Sequence, residues 1–320
     1  MTAKARQWTR FSIRTLLLIT AVVAIWLGRI SYVARQRQAA FAAITRADGR
    51  VTFSTTAENH QPSWQRQWRR LWGEAYARQV WSVDLKRKPV GDEIMPHIAA
   101  LPEIQQLDLG QTRVTDDGLS HVARLHDLRY LFLVETAITD AGVGHLSTLK
   151  KLKHLNLGGT KITDDAADDL IKLPQLTELM LTGSSAITDV SVERLQPLTG
   201  LRSLYLNGSR ITDDGVAKLE KFPCLEKVGL YWTPVTDEGA MHLARMPTLR
   251  AANLSSTRIT DATLRALQDL PNLEHLEISS TSVSAEALQE FQAARPKCSV
   301  EAYALRPTKD SQVRQNEETR

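Results

Sequence analysis

The stretch LKHLNLGGTKITDDAADDL, from Leu152 to Leu170, decides the fold of this chain. Its first part places Leu155 and Leu157 on either side of a polar residue, and this alternation is typical of a short, half-buried strand. Its second part opens with Ile162-Thr-Asp and continues with apolar residues at helical spacing. The stretch therefore predicts one strand, one turn and one helix.

The same unit recurs along most of the chain. Seven copies of a Val/Ile-Thr-Asp signature follow one another at intervals of 24 or 25 residues, beginning at Val114, Ile138, Ile162, Ile187, Ile211, Val235 and Ile259. Degenerate copies at Val90 and Val283 continue the spacing at both ends. One unit cannot bury its apolar edge alone, so stacking is required. We predict an α/β solenoid of nine repeats, with parallel strands on a concave face and helices on a convex face.

The pattern LxxLxLxxTxITDxGLxxL resembles the cysteine-containing, ribonuclease-inhibitor-like subclass of leucine-rich repeats, over roughly residues 80–303. The start Arg-Phe-Ser-x-Arg-x-Leu-Leu, from Arg10 to Leu17, precedes a Trp-rich segment and the repeats. This layout resembles bacterial membrane-anchored leucine-rich-repeat proteins. The resemblance implies a leucine-rich-repeat horseshoe preceded by one transmembrane or signal helix.

One departure from the family concerns the residue after each strand. The family has Asn or Cys there, whereas this chain has a hydroxyl residue, and a hydroxyl can bond backbone groups of the loop in the same way. The residues assigned to this position are Thr112, Thr136, Thr160, Ser185, Ser209, Thr233, Thr257 and Thr281.

The N-terminal region combines basic charge with an apolar run. Residues 1–80 contain 13 Lys and Arg against three Asp and Glu, whereas residues 81–320 contain 27 against 33. The uncharged run from Thr15 to Gly28 is short for a bilayer span and has the length of a signal-peptide core. However, Arg14 and Arg29 can snorkel to the interfaces, and neither Gly28 nor Ala34 ends a small-x-small cleavage site.

We therefore predict an uncleaved single-pass membrane anchor, with a cleaved signal peptide or a helix of a soluble protein as the alternatives. Basic residues before the run outnumber those just after it, so the positive-inside rule places the repeats on the extracytoplasmic side. The chain then divides into a basic flank and anchor helix (1–34), a linker and cap (35–79), the repeats with a closing strand (80–303) and a disordered tail (304–320).

The linker and cap region contains its own signals. We predict a helix from Ala34 to Arg46 and a short strand over Val51–Phe53. Three tryptophans follow at helical spacing, Trp64, Trp68 and Trp72. We interpret this Trp face as a cap over the open end of the first repeat, because solenoids need such caps. A helix lying on anionic lipid is the alternative. At the opposite end, residues 299–302 are predicted to close the sheet.

The remaining signals favour structural roles. The acidic repeats lack the basic footprint that nucleic acid binding needs. Cys224 and Cys298 form no CxxC pair, which argues against a disulfide framework or a cysteine-rich zinc site. The signature aspartates are interpreted as helix N-caps. No catalytic motif occurs, so we expect no enzyme activity, metal or cofactor. Four repeats have a histidine at the same position, which we interpret as a surface position. These residues are His97, His121, His145 and His242.

The positions between the buried strand residues face the concave surface. Their middle section is rich in aromatic residues and Met, which are common in binding hot spots. The candidate partner-binding residues are Tyr130, Phe132, His154, Asn156, Met180, Tyr205, Tyr231 and Trp232. The first hypothesis is a membrane-tethered module that binds a protein partner through this face. The alternatives are a structural cell-envelope component that binds surface glycan or copies of itself, and a soluble cytoplasmic adaptor.

Overall fold

The computed structural model describes residues 13–54 and 79–303. The predicted basic flank, the tail after Tyr303 and the three tryptophans at 64, 68 and 72 lie outside these residues. The Trp-rich cap and the disordered tail therefore stay predictions.

One sheet runs through all the repeats. Its eleven strands lie side by side in chain order. The first is antiparallel to the second, and each later neighbouring pair is parallel. The strands are β1 (Arg50–Phe53), β2 (Val80–Asp84), β3 (Gln106–Asp108), β4 (Tyr130–Phe132), β5 (His154–Asn156), β6 (Glu178–Met180), β7 (Ser203–Tyr205), β8 (Lys227–Gly229), β9 (Ala251–Asn253), β10 (His275–Glu277) and β11 (Ser299–Glu301).

This topology confirms the predicted repeats. Strands β2–β10 correspond to the nine units, and β11 closes the sheet where it was predicted. Residues one repeat apart face each other, as Leu107 faces Leu131. The strand predicted over Val51–Phe53 is β1, which adds an antiparallel edge to the first repeat.

A helical segment follows each repeat strand. The helices of residues 13–54 and 79–303 are α1 (Ile13–Arg46), α2 (Met95–Ile98), α3 (Asp116–Leu119), α4 (Asp140–Gly144), α5 (Ala167–Leu170), α6 (Asp189–Arg194), α7 (Asp213–Leu219), α8 (Asp237–Leu243), α9 (Asp261–Leu267) and α10 (Ala285–Ala294). In the first four repeats, short 3-10 turns extend the helix, at Asp92–Ile94, Ser120–Arg124, His145–Thr148 and Asp164–Ala166. The core between strands and helices is a continuous ladder of buried leucines, for example Leu107, Leu131 and Leu155.

Helix α1 has two different halves. Its N-terminal half is apolar and exposed, and its length and composition suit a membrane span or a signal sequence. Its C-terminal half packs against α2, with Ala40 and Ile44 buried, and Arg37 forms an ion pair with Glu103 at 2.5 Å. The helix predicted to begin at Ala34 is thus the end of a longer one, and the boundary between residues 34 and 35 falls inside it.

The signature aspartates do not cap their own helices, and that prediction was wrong. Each is the first residue of its helix or 3-10 turn, and the preceding threonine holds the N-cap position. Thr139, for example, accepts a hydrogen bond from the Ala141 N–H at 3.3 Å. The carboxylate instead reaches the neighbouring repeat, where the Thr139 N–H donates to Asp116 Oδ1 at 2.9 Å and its hydroxyl donates to Oδ2 at 2.6 Å.

This link between repeats occurs along the whole stack. The pairs are Asp92–Thr115, Asp116–Thr139, Asp140–Thr163, Asp164–Thr188, Asp189–Thr212, Asp213–Thr236, Asp237–Thr260 and Asp261–Ser284. The carboxylate also explains a glycine in the next repeat, which often stands two residues after that repeat's own signature aspartate. A Cβ on Gly239 would lie 2.3 Å from Asp213 Oδ1, so a larger residue has no space there.

Where the glycine is absent, a hydroxyl can serve the same carboxylate. Ser191 donates to Asp164 Oδ1, and Thr263 donates to Asp237 Oδ1. Burial by itself would raise the pKa of both aspartates. The hydrogen bonds from the hydroxyls and the backbone outweigh it and hold each pKa below its ordinary value.

The hydroxyl residues after the strands bond the loop backbone, as predicted. Thr112 Oγ1 donates to the Leu109 carbonyl at 2.6 Å, and the equivalent residues of other repeats do the same. The assignment of Ser185 to this set was wrong. In the 25-residue repeat Ser184 is buried and donates to the Ile162 carbonyl at 3.0 Å, whereas Ser185 is exposed. The extra residue of this repeat lies after the hydroxyl residue. Ser184 is therefore three residues before the signature Ile187, whereas Thr160 is two residues before Ile162.

We predict that Asp213→Ala destabilises the fold by about 1–3 kcal/mol, because the Thr236 N–H and hydroxyl lose their acceptor. Urea denaturation of the full chain in detergent measures this. Asp214→Ala is the matched control, since Asp214 is exposed in the same helical turn, and it should cost no more than about 0.5 kcal/mol. Equal losses for the two variants would contradict the inter-repeat role.

A second prediction concerns acid. Because Asp164 and Asp237 have lowered pKa values in the folded state, their stabilisation is present above the unfolded pKa of about 3.9 and is lost as pH falls through the folded value. The double variant Asp164→Asn and Asp237→Asn should therefore show a flatter fall of the free energy of unfolding below about pH 4. Asp214→Asn should follow the wild-type curve. An unchanged slope in the double variant would disprove the assignment.

Candidate binding face of the sheet

Two rows of side chains form the open face of the central strands. In each repeat strand the middle residue is buried and its two neighbours face outward. The first row contains Tyr130 and His154, which are register partners on β4 and β5. The second row runs across β4–β7 as Phe132, Asn156, Met180 and Tyr205. The structure therefore brings six of the eight predicted residues onto four adjacent strands.

An aromatic cluster occupies the first row. The Tyr130 ring stacks on the His154 imidazole with centroids 4.7 Å apart, and Trp81 lies 6.5 Å from Tyr130 on its other side. His154 Nδ1 lies 2.9 Å from Glu178 Oε2. Neither Trp81 nor Glu178 was among the predicted site residues. The cluster thus begins at the first repeat and ends at a carboxylate on β6.

Asn156 serves the backbone rather than the open face. Its Oδ1 accepts the Gly158 N–H at 3.0 Å, and its Nδ2 lies 3.0 Å from Met180 Sδ. Asp108 and Asn253 make the same turn contact in their own repeats. The sequence signal is an Asp or Asn two residues before the bonded N–H, at the end of the strand. Asn156 therefore has one acceptor site on Oδ1 and one N–H of Nδ2 left for a ligand.

Tyr205 lies over a glycine of the next strand. A Cβ on Gly229 would be 2.7 Å from Tyr205 Cδ1 and 2.7 Å from Asn207 Oδ1, so only glycine fits under both side chains. Burial of the ring, with a further contribution from the Glu178 charge, raises the pKa of the Tyr205 hydroxyl. This hydroxyl is therefore a neutral hydrogen-bonding group at physiological pH.

Beside Tyr205 the face contains a depression that was not predicted. The cavity measures about 350 Å³, and one of its lining residues is Ala251, the small first-row residue of β9. Its polar walls include Lys227, Asn253, His275 and Glu277. The sequence signal was a small residue, Ala251, between Lys227 and His275 of the neighbouring repeats.

Tyr231 and Trp232 lie apart from the strand rows, in the turn after β8. They are 45% and 69% exposed. Trp232 has a φ of +53°, and the equivalent turn residue in the three preceding repeats is glycine with φ between +68° and +74°. A left-handed conformation costs a non-glycine residue about 1–2 kcal/mol. These two residues therefore form the rim of the face.

The other polar clusters have simple contacts. His242 Nδ1 lies 2.6 Å from Glu220 Oε1, and Cys224 and Cys298 are free thiols. Burial raises the pKa of Cys298, which disfavours its reactive thiolate. Within residues 13–54 and 79–303, no three His, Cys, Asp or Glu side chains are grouped closely enough to hold a metal ion.

Known proteins place this geometry in a family. The family model described as a leucine-rich repeat region matches residues 83–307. Among solved structures, the chain is similar to the internalin InlF of Listeria monocytogenes, with 18% sequence identity and a TM-score of 0.45 over 77% of this chain and 89% of that one. It is also similar to internalin C2 of that organism, with 25% identity and a TM-score of 0.46 over 68% and 84% of the two chains. No curated protein matches the chain.

We predict that Gly229→Ala destabilises the fold by about 1–3 kcal/mol, because the new methyl group displaces Tyr205 or Asn207. Gly200→Ala is the control, since the nearest atom to its Cβ lies 4.0 Å away, and it should stay within about 0.5 kcal/mol of wild type. Urea denaturation compares the two. If both variants are equally stable, Tyr205 does not lie over Gly229 in solution.

Proposed function

Because the chain belongs to the leucine-rich repeat family, we propose that it is a membrane-anchored module that binds a protein partner on the concave face of its sheet, without catalytic activity. Leucine-rich-repeat folds are typical of protein–protein interaction modules. The 24-residue repeat and the pattern LxxLxLxxTxITDxGLxxL support placing it in the cysteine-containing, ribonuclease-inhibitor-like subclass.

The observation that carries this proposal is the run of large side chains across β4–β7. Tyr130 and His154 stack in the first row, and Phe132, Met180 and Tyr205 stand near one another in the second. All are half-buried, so the sheet holds each one at its base and leaves part of it open. Pre-positioned aromatic and Met side chains of this kind dominate binding energies.

The continuity of α1 supports an anchor that is not removed. Cleavage after Gly28 or Ala34 would cut inside one uninterrupted helix. Ala34, Ala40 and Ile44 are buried, so the helix end belongs to the folded solenoid. The N-terminal excess of basic residues supports an extracytoplasmic position for the repeats. The four regions 1–34, 35–79, 80–303 and 304–320 are proposed as functional parts, and α1 crosses the first boundary.

The alternative is a structural envelope component that binds surface glycan or copies of itself. The depression beside Tyr205 favours glycan among these, because an aromatic ring there adjoins the polar groups of Asn253, His275 and Glu277. Binding to purified cell-wall material, compared with crosslinking capture of proteins in the native cells, separates the two functions.

We predict that the double variant Phe132→Ala and Tyr205→Ala loses most partner capture, because it removes the largest side chains of the second row. Crosslinking in the native cells measures capture. The matched control is Val190→Ala with Met241→Ala, which removes exposed apolar side chains from the convex helices α6 and α8. Both proteins should melt near the wild-type temperature, because all four residues are at least partly exposed. Wild-type capture by the first variant would disprove the proposal.

A further inference from the structure

A second cavity lies at the N-terminal end of the same sheet. It measures about 360 Å³ and is lined by the turn before β1 and the loop after β2. The lining residues are Asp48, Gly49, Arg50, Asp84, Lys86, Arg87 and Lys88. Four cationic side chains therefore meet two carboxylates, in a domain whose repeats are acidic as a whole.

Within the described residues, one of these four cations has a carboxylate partner. Lys88 pairs with Asp48 at 2.5 Å, and Arg87 Nε donates to Gln111 Oε1 at 2.7 Å. Arg50 and Lys86 are exposed and form no ion pair within the described part of the chain. The second carboxylate, Asp84, accepts the Lys86 backbone N–H at 3.0 Å and so shapes its own loop. The four cations exceed the two lining carboxylates and Asp108 on β3, which attracts Lys86 electrostatically, by one charge.

The position of the cavity links it to the binding face. Asp84 is the residue of β2 that continues the second row, two strands from Phe132, which is about 10 Å across the sheet. The row itself has carboxylates at both ends, Asp84 and Asp108 on β2 and β3, and Glu277 and Glu301 on β10 and β11. The cations of the cavity therefore lie beside the β2 end of the face, about 10 Å from its aromatic middle.

We propose that the Arg50–Lys86 cavity binds acidic side chains of the protein partner, in a segment whose carboxylates lie about 10 Å from the apolar residues that contact the aromatic middle. This rests on the proposed function, because it assigns a chemistry to the same partner. Charge complementarity at one end of the face sets the direction in which the partner lies and speeds its encounter.

The test uses hexaglutamate as the probe and the full chain in an uncharged detergent at low ionic strength. We expect calorimetric binding that weakens with added salt. Arg50→Gln with Lys86→Gln should weaken it about three- to tenfold, the effect of losing two exposed ion pairs. Lys161→Gln with Arg210→Gln is the control, because it removes the same charge from exposed loop residues elsewhere and should change the affinity less than about twofold. Both variants keep the basic N-terminal flank, so their difference reports the cavity.

Three results would overturn the proposal. They are the absence of hexaglutamate binding, equal affinities for the two glutamine variants, and inorganic phosphate binding as tightly as hexaglutamate, which would indicate a site for free oxyanions. The variant Phe132→Ala with Tyr205→Ala should bind hexaglutamate like wild type. Partner capture therefore tests the aromatic middle, and hexaglutamate binding tests the cavity, so the two proposals can fail separately. Unchanged urea denaturation of each variant checks that the fold is retained.

Discussion

Every repeat of this solenoid after the first depends on a carboxylate that belongs to the repeat before it. The link joins an aspartate at the start of one helix to the backbone N–H and hydroxyl of the next threonine, as between Asp116 and Thr139. An isolated repeat would leave both donors without an acceptor and its leucines exposed. Helix starts and strands are thus held at one spacing along the stack. The strands of the open face are held at the same spacing. The side chains that give this face its chemistry take no part in the aspartate links between repeats.

The sequence was sufficient to predict the features that depend on periodicity. Identical units must stack with residues one repeat apart, so nine strands, their register and the buried leucines followed from the 24-residue spacing. The role of the aspartates could not be derived in this way, because Thr-Asp before a helix fits an N-cap equally well. Only the assembled stack brings Asp213 within 2.8 Å of the Thr236 nitrogen. Similarly, the 25-residue repeat offers two adjacent serines, and only packing selects Ser184.

The candidate face, too, could be predicted from the sequence only in part. Alternation along the strands placed Tyr130, Phe132 and Tyr205 on the open side. It could not show that Asn156 bonds the Gly158 backbone, or that a depression lies beside Tyr205. Both depend on distances between neighbouring chains in the sheet. Sequence patterns therefore indicate which residues share a face, and contacts between repeats decide which of them are available to a ligand.

Helix α1 adds a constraint on the partner. If its apolar half spans a membrane up to Gly28, only five residues lie between that point and Ala34, the first buried side chain of the helix. At the helical rise Gly28 and Ala34 are about 9 Å apart. The same helix ends at Arg46, beside the turn that contributes Arg50 to the cationic cavity. With the proposed anchor, this helix would hold the cationic cavity at a set distance from the bilayer. A partner that binds there must present its acidic segment at that height, which favours another protein of the same membrane over a freely diffusing one.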